Sequence, residues 1–146
     1  MKFFMFSKAA SRKLREDFWI SFGKSFPRKW ILYNTKIKYF SFKFYFDTRK
    51  AMVTLDIEDQ NIENRIKYWD KMISLKAILL DEFLPEAIFD EAYILDNKKE
   101  ISRIYLEKHQ VSIHNKNTWQ ETMVFLNENM KKFEAFYLEY EDFIKA

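Results

Sequence analysis

Apolar and polar positions alternate most sharply over residues 37–58, IKYFSFKFYFDTRKAMVTLDIE. Phe40, Phe42, Phe44 and Phe46 recur at every second position. After the polar break Asp47-Thr48-Arg49-Lys50, so do Ala51, Val53, Leu55 and Ile57. Side chains on a strand alternate faces, so the two runs predict one antiparallel hairpin with a continuous apolar face. A turn at 47–50 sets Phe46 opposite Ala51, Phe44 opposite Val53, Phe42 opposite Leu55 and Phe40 opposite Ile57. A one-residue slip would turn four phenylalanines into water, which makes this register firm. The other face presents Tyr39, Ser41, Lys43 and Tyr45 beside Met52, Thr54, Asp56 and Glu58.

The flanking patterns predict the cover for this hairpin. Ala10, Leu14, Phe18 and Phe22 step by four through residues 7–22, a helix with Ser7 as N-cap and Gly23 at the left-handed position after its end. Lys29–Tyr33 reads as a short strand turned at Asn34-Thr35-Lys36 into the hairpin, with Lys36 and Lys38 at the strand's mouth. A second helix spans 61–84, capped by Asn61 and ended by Pro85, with Ile62, Ile66, Trp69, Ile73, Ala77, Leu80 and Leu84 as its apolar row. Strands follow at 87–95 and 101–107, and Val111–Ile113 reads as an optional short last strand. Trp119, Met123, Leu126, Met130, Phe133, Tyr137, Tyr140 and Ile144 alternate spacings of four and three along a final helix over 118–144. A row this regular suits a coiled-coil seam or a helix laid across the sheet. The second use is favoured because an apolar sheet face already waits for cover.

The order α-β-β-β-α-β-β-(β)-α predicts an α+β fold: an antiparallel sheet of about five strands with three helices, in one domain over 1–146. Phe42, Phe44, Val53 and Leu55 are expected to be nearly fully buried. Their expected partners are Leu14 and Phe18, then Ile66, Trp69 and Ile73, or Leu126, Met130 and Phe133.

Composition sharpens this in three ways. The 16 phenylalanines, 8 tyrosines and 4 tryptophans of the 146 residues exclude disorder, and the absence of cysteine excludes disulfides and thiolate metal sites. The start MKFFMF imitates a secretory leader, but its apolar run from Phe3 to Phe6 falls short of the about 7–15 residues such a core needs. No apolar run approaches the ~20 residues of a membrane span, so no membrane partner is expected and the default compartment is cytoplasmic. Charge is split: residues 1–50 hold 13 Lys/Arg against three acidic residues, a surplus of ten, and the remainder carries a deficit of seven. Either the halves attract one another within the fold, or a basic surface faces phosphate or an acidic partner.

The single glycine excludes glycine-rich phosphate loops, dinucleotide fingerprints and the nucleophile elbow. His109 and His114, with Glu107, match no metal-ligand spacing and read as loop histidines. The element order admits a restriction-nuclease-like site at Asp47 with Asp56-Ile57-Glu58. However, Glu58 stands where a lysine is needed, and the hairpin register separates Asp47 from Asp56 by roughly 20–30 Å. No cofactor and no metal are expected.

LREDFWISFGK near the start, ISRIYLEKHQVSIHNKNTW late in the chain and the aromatic last helix resemble a bacterial family known as domain of unknown function 4268. The resemblance covers nearly the whole chain. It rests on Leu14-Arg15-Glu16 running into Phe18-Trp19, on Ser102-Arg103-Ile104-Tyr105, and on Asn115-Lys116 before Trp119. Gln110 stands where such sequences carry a glycine. The resemblance brings no catalytic residues; it implies a link to DNA handling or defence, because relatives follow restriction-nuclease-like modules.

Two functions are therefore expected. The first is a non-enzymatic interaction domain that self-associates as a homo-oligomer, with Tyr39, Lys43, Tyr45 and Met52 as its candidate surface. It is motivated by an aromatic surplus beside no catalytic constellation. The second is a nucleic-acid-binding accessory domain, partnered by nucleic acid or a nuclease-associated protein. Its candidate phosphate contacts are Arg12, Lys13, Arg15, Lys24, Arg28 and Lys29. An enzyme built on Asp56, Glu58 and His114 stands third.

Overall fold

The computed structural model describes residues 7–146, so the leader-like start Met1–Phe6 lies outside the described residues. The hairpin forms in the expected register: β1 (Phe40–Phe46) pairs with β2 (Lys50–Ile57), from Phe46 against Ala51 to Phe40 against Ile57. Asp47 builds the turn, its Oδ1 accepting the amides of Arg49 at 2.7 Å and Lys50 at 2.8 Å. β3 (Ile88–Ile94) and β4 (Glu100–His109) form a second antiparallel hairpin. β4 lies beside β2, giving one sheet in the order β1-β2-β4-β3.

The sheet has four strands, not five. Lys29–Tyr33 does not join it: Leu32 takes φ 38 and turns the chain away after its carbonyl accepts one bond, from the Phe42 amide at 3.2 Å. Further left-handed residues at Lys36 and Tyr39 make this segment a wrap around the β1 edge, and both Lys36 and Lys38 stay exposed before the strand begins. Val111–Ile113 likewise bonds to the hairpin only through the Ile113 amide, which donates to the Asp47 carbonyl at 2.9 Å, and then turns. The turn at Gln110 has φ 61, backbone that favours glycine. Gln110→Gly is expected to raise stability by about 0.5–1 kcal/mol, read as a higher urea midpoint at unchanged slope.

Three long helices cover the phenylalanine face. α1 (Lys8–Ser25) starts at Ser7, whose Oγ accepts the Ala10 amide at 3.0 Å. It runs through Gly23, which is helical rather than left-handed. The stop comes from Pro27, whose ring disfavours helical backbone at Phe26 (φ −130, ψ 69). α2 (Ile62–Ser74) is capped by Asn61 as expected, but the helix does not continue smoothly to Leu84. It breaks at Leu75, and α3 (Lys76–Ile78) runs into a π-helical turn, Leu79–Phe83. The wider turn keeps both Leu79 and Leu84 buried. α4 (Trp119–Lys145) is the final helix, and Trp119, Met123, Leu126, Met130, Phe133, Tyr137 and Ile144 of its expected row are buried.

The core forms where these helices meet the sheet. Phe18 of α1 packs its ring 4.7 Å from Phe46, and Phe42 lies 5.6 Å from both Phe133 and Tyr137 of α4. Trp69 of α2 meets Phe89 of β3 at 5.8 Å. Phe42, Val53 and Leu55 are fully buried, whereas Phe44 is half-buried because it sits on the edge strand under only Trp19, Phe22 and Trp30.

α2 departs from expectation more. Ile62, Ile66 and Ile73 are exposed, and the buried row is Arg65, Trp69, Met72, Leu75 and Leu79. The helix is rotated so that Arg65 turns inward to pair with Glu100 and its carbonyl. That displaces the isoleucines toward solvent.

Candidate functional site

The sheet face opposite the core is closed by its own side chains. Asp56, fully buried, receives two hydrogen bonds from Arg103, from Nε at 2.8 Å and Nη2 at 2.9 Å. The Arg103 guanidinium lies 4.3 Å from the Tyr93 ring centre. Lys43 Nζ stands 3.0 Å from Glu58 and 3.7 Å from Asp56. A register shift between Asp90 and Tyr93 bends β3 across this face and sets Tyr93 5.5 Å from Tyr105.

The expected surface of Tyr39, Lys43, Tyr45 and Met52 is therefore not an open platform. Met52 is buried, Lys43 is held by its two carboxylates, and the Tyr45 hydroxyl donates to Asp47 at 2.8 Å. Tyr39 is exposed but precedes β1, with φ 63 and Lys38 over its ring. A polar cavity of about 190 Å³ remains between Tyr45, Met52, Tyr93 and Arg103.

Burial pushes the Tyr45 hydroxyl up to about 12, with the adjacent Asp47 carboxylate adding to it. Burial also pushes Tyr137, whose hydroxyl donates to the Thr35 carbonyl at 3.0 Å, up to about 12. Both groups hold their protons more tightly folded than unfolded, where tyrosine titrates near 10. Their stabilisation is full below pH 10 and is lost as the pH rises toward about 12. Urea midpoints should fall through that alkaline window, and Tyr137→Phe should flatten the fall; an unchanged slope would count against the assignment.

The six basic candidates do not share one surface. Arg28 reaches the buried Glu134 at 3.0 Å and stacks on Trp30, so it anchors the segment after α1 to α4. Lys13 pairs with Asp17 at 3.5 Å, and with Lys24 it lies on a row turned about 100° from Arg12. Lys29 is exposed in the following segment. Arg12 and Arg15 do come together: with Trp19 and Ile20 they line an open groove of about 470 Å³, although Arg12 also pairs with Glu16 at 3.3 Å. Trp19 also lines a second groove of about 260 Å³ at the β1 edge, with Leu32, Tyr33, Lys43 and Phe44. One aromatic side chain thus joins a basic helix face to an edge strand. Neither Trp19 nor Tyr33 stands out as a site residue in the sequence. The signal available was helical spacing, since Arg12, Arg15 and Trp19 step by three and four along one row.

The remaining candidates stay apart. His109 lies beside Glu107 at 3.1 Å, whereas His114 Nε2 meets Ser11 of α1 at 3.0 Å. Asp47 is occupied by the hairpin turn and Asp56 by Arg103. Among the described residues no group of three His, Asp or Glu side chains could hold a metal ion, and no helix is long and apolar enough to cross a membrane. A family model described as "Domain of unknown function (DUF4268)" matches residues 14–141. No curated protein and no solved structure gives a significant match.

Proposed function

From the premise that the chain belongs to the DUF4268 family, we propose that it is a non-enzymatic interaction domain of the cytoplasm that binds a single nucleic-acid strand along the α1–β1 edge. The observation that carries this is the pair of grooves joined at Trp19. Arg12 and Arg15 offer cations, and Trp19 and Tyr33 offer ring faces beside them. Tyr33 is 70% exposed, far more than an aromatic ring needs for packing. Strand binding without sequence reading takes this combination: a basic groove that follows the backbone and aromatic faces on which bases stack. A duplex would hide those base faces, so the aromatic content favours a single strand. The negative charges of Asp56 and Glu58 lie on the closed sheet face and are matched there by Arg103 and Lys43.

Fluorescence anisotropy with a labelled random single-stranded DNA pool tests this. With two cations engaged, the log–log slope of affinity against salt should be about −1.4, at roughly −0.7 per neutralised phosphate. Tyr33→Ala should lose about 1–3 kcal/mol of binding with little effect on stability. Arg15→Glu should weaken binding and make the slope shallower. No binding of DNA or RNA at low salt ends the proposal, as does binding that ignores both substitutions.

A further inference from the structure

The exposed row of α2 is an apolar feature that neither the core nor the α1–β1 groove uses. Ile62, Ile66 and Ile73 are 52%, 49% and 44% exposed, all within about 40° of one another around the helix. Beside the row, a cleft of about 240 Å³ opens between α2 and β3, lined by the apolar Ile62, Ile66, Trp69 and Ala92 and by the polar Arg65, Glu91, Glu100 and Ser102. Further round the helix, Asp70 lies about 40–80° and Lys67 about 100–140° from the isoleucines; both are exposed and form no ion pair among the described residues.

We infer that this face docks a second copy of the chain, with the two α2 helices antiparallel across a two-fold axis between residues 68 and 69. Two features of α2 are self-complementary under that axis. Lys67 comes opposite the partner's Asp70, and Asp70 opposite the partner's Lys67, so both ion pairs form at once. Ile73 comes level with residue 64 of the other helix, between its two outward isoleucines, where the cleft lies. Each copy therefore offers one knob and one hole, which is the condition for an isologous contact. A partner of different sequence would have to supply this arrangement anew, whereas a second copy already carries it. One helix pair with its cleft covers less than the about 800 Å² per partner of a standard interface, so association belongs in the micromolar range or weaker. The surface is separate from the α1–β1 groove, so the two proposals stand or fall independently.

Sedimentation velocity on the full chain, from micromolar to about 1 mM, tests this by charge exchange. The unmodified protein should show a dimer fraction that rises with concentration. Lys67→Asp and Asp70→Lys each set like charges against each other across the axis, and each alone should weaken the dimer about tenfold or more. An equimolar mixture of the two variants should recover association, because each supplies the charge the other now needs. Loss of folding could not produce that recovery. A strict monomer throughout the range overturns the inference. So does a dimer indifferent to both substitutions, or a mixture that fails to recover.

Discussion

Phe42→Ala is expected to cost about 3–5 kcal/mol of folding stability, and Phe44→Ala, two residues along the same strand face, clearly less. Phe42 is fully buried, with Phe133 and Tyr137 of α4 at 5.6 Å and Phe40 at 6.4 Å. Truncating it removes burial and leaves a cavity walled by large rings on a sheet and a helix that cannot easily close in. Phe44 is half-buried at the edge, against Trp19, Phe22 and Trp30, and solvent already reaches its surroundings. A typical domain has only about 5–15 kcal/mol in all, so the first loss would dominate the denaturation curve. Urea unfolding of both variants at a common slope measures the difference. An equal or larger loss at Phe44 would mean that the sheet is covered from another direction.

Arg103→Ala should cost about 3 kcal/mol, a loss that comes from what it leaves behind rather than from what it removes. Asp56 has no exposure, and Arg103 gives it two of its hydrogen bonds. Lys43, at 3.7 Å, offers partial relief, which holds the estimate to the low end of the about 3–5 kcal/mol range for a broken buried pair. The double variant Asp56→Val with Arg103→Met should regain most of the loss, since no charge is then stranded. Lys43→Ala, which leaves the Arg103 pair intact, should cost about 1 kcal/mol. Thermal unfolding of the four proteins at neutral pH is the measurement. A double variant no more stable than Arg103→Ala would show that packing against Tyr93, not charge, is what Arg103 contributes.

The α1–β1 groove and the α2 face were legible in the sequence to different degrees. The basic residues of α1 were evident as a group. Their division into Arg12 and Arg15 at the groove, Lys13 and Lys24 on another row and Arg28 at Glu134 was not, because Glu134 lies 106 residues away. Tyr33 looked like a strand residue; the left-handed turn at Leu32 made it a surface ring.

By itself the sequence determined the first hairpin, its register, the apolar row of α4 and the caps at Ser7 and Asn61. Each depends on residues within one or two turns or on a period that no other conformation satisfies. The tertiary structure decided which of two overlapping rows of α2 is buried. Both rows contain Trp69, and hydropathy prefers Ile62, Ile66 and Ile73. The inner row includes Arg65, which is tolerable inside only because Glu100 and its carbonyl are there to receive it. The tertiary structure also covered much of the far face of the sheet, where alternation correctly assigned Lys43, Thr54 and Asp56 to one side but could not show that Thr54 and Asp56 there would be buried. Their burial depends on the bend in β3 that brings Tyr93 over Arg103. Local spacing sets which side chains share a face; only contacts between distant segments set which faces meet water.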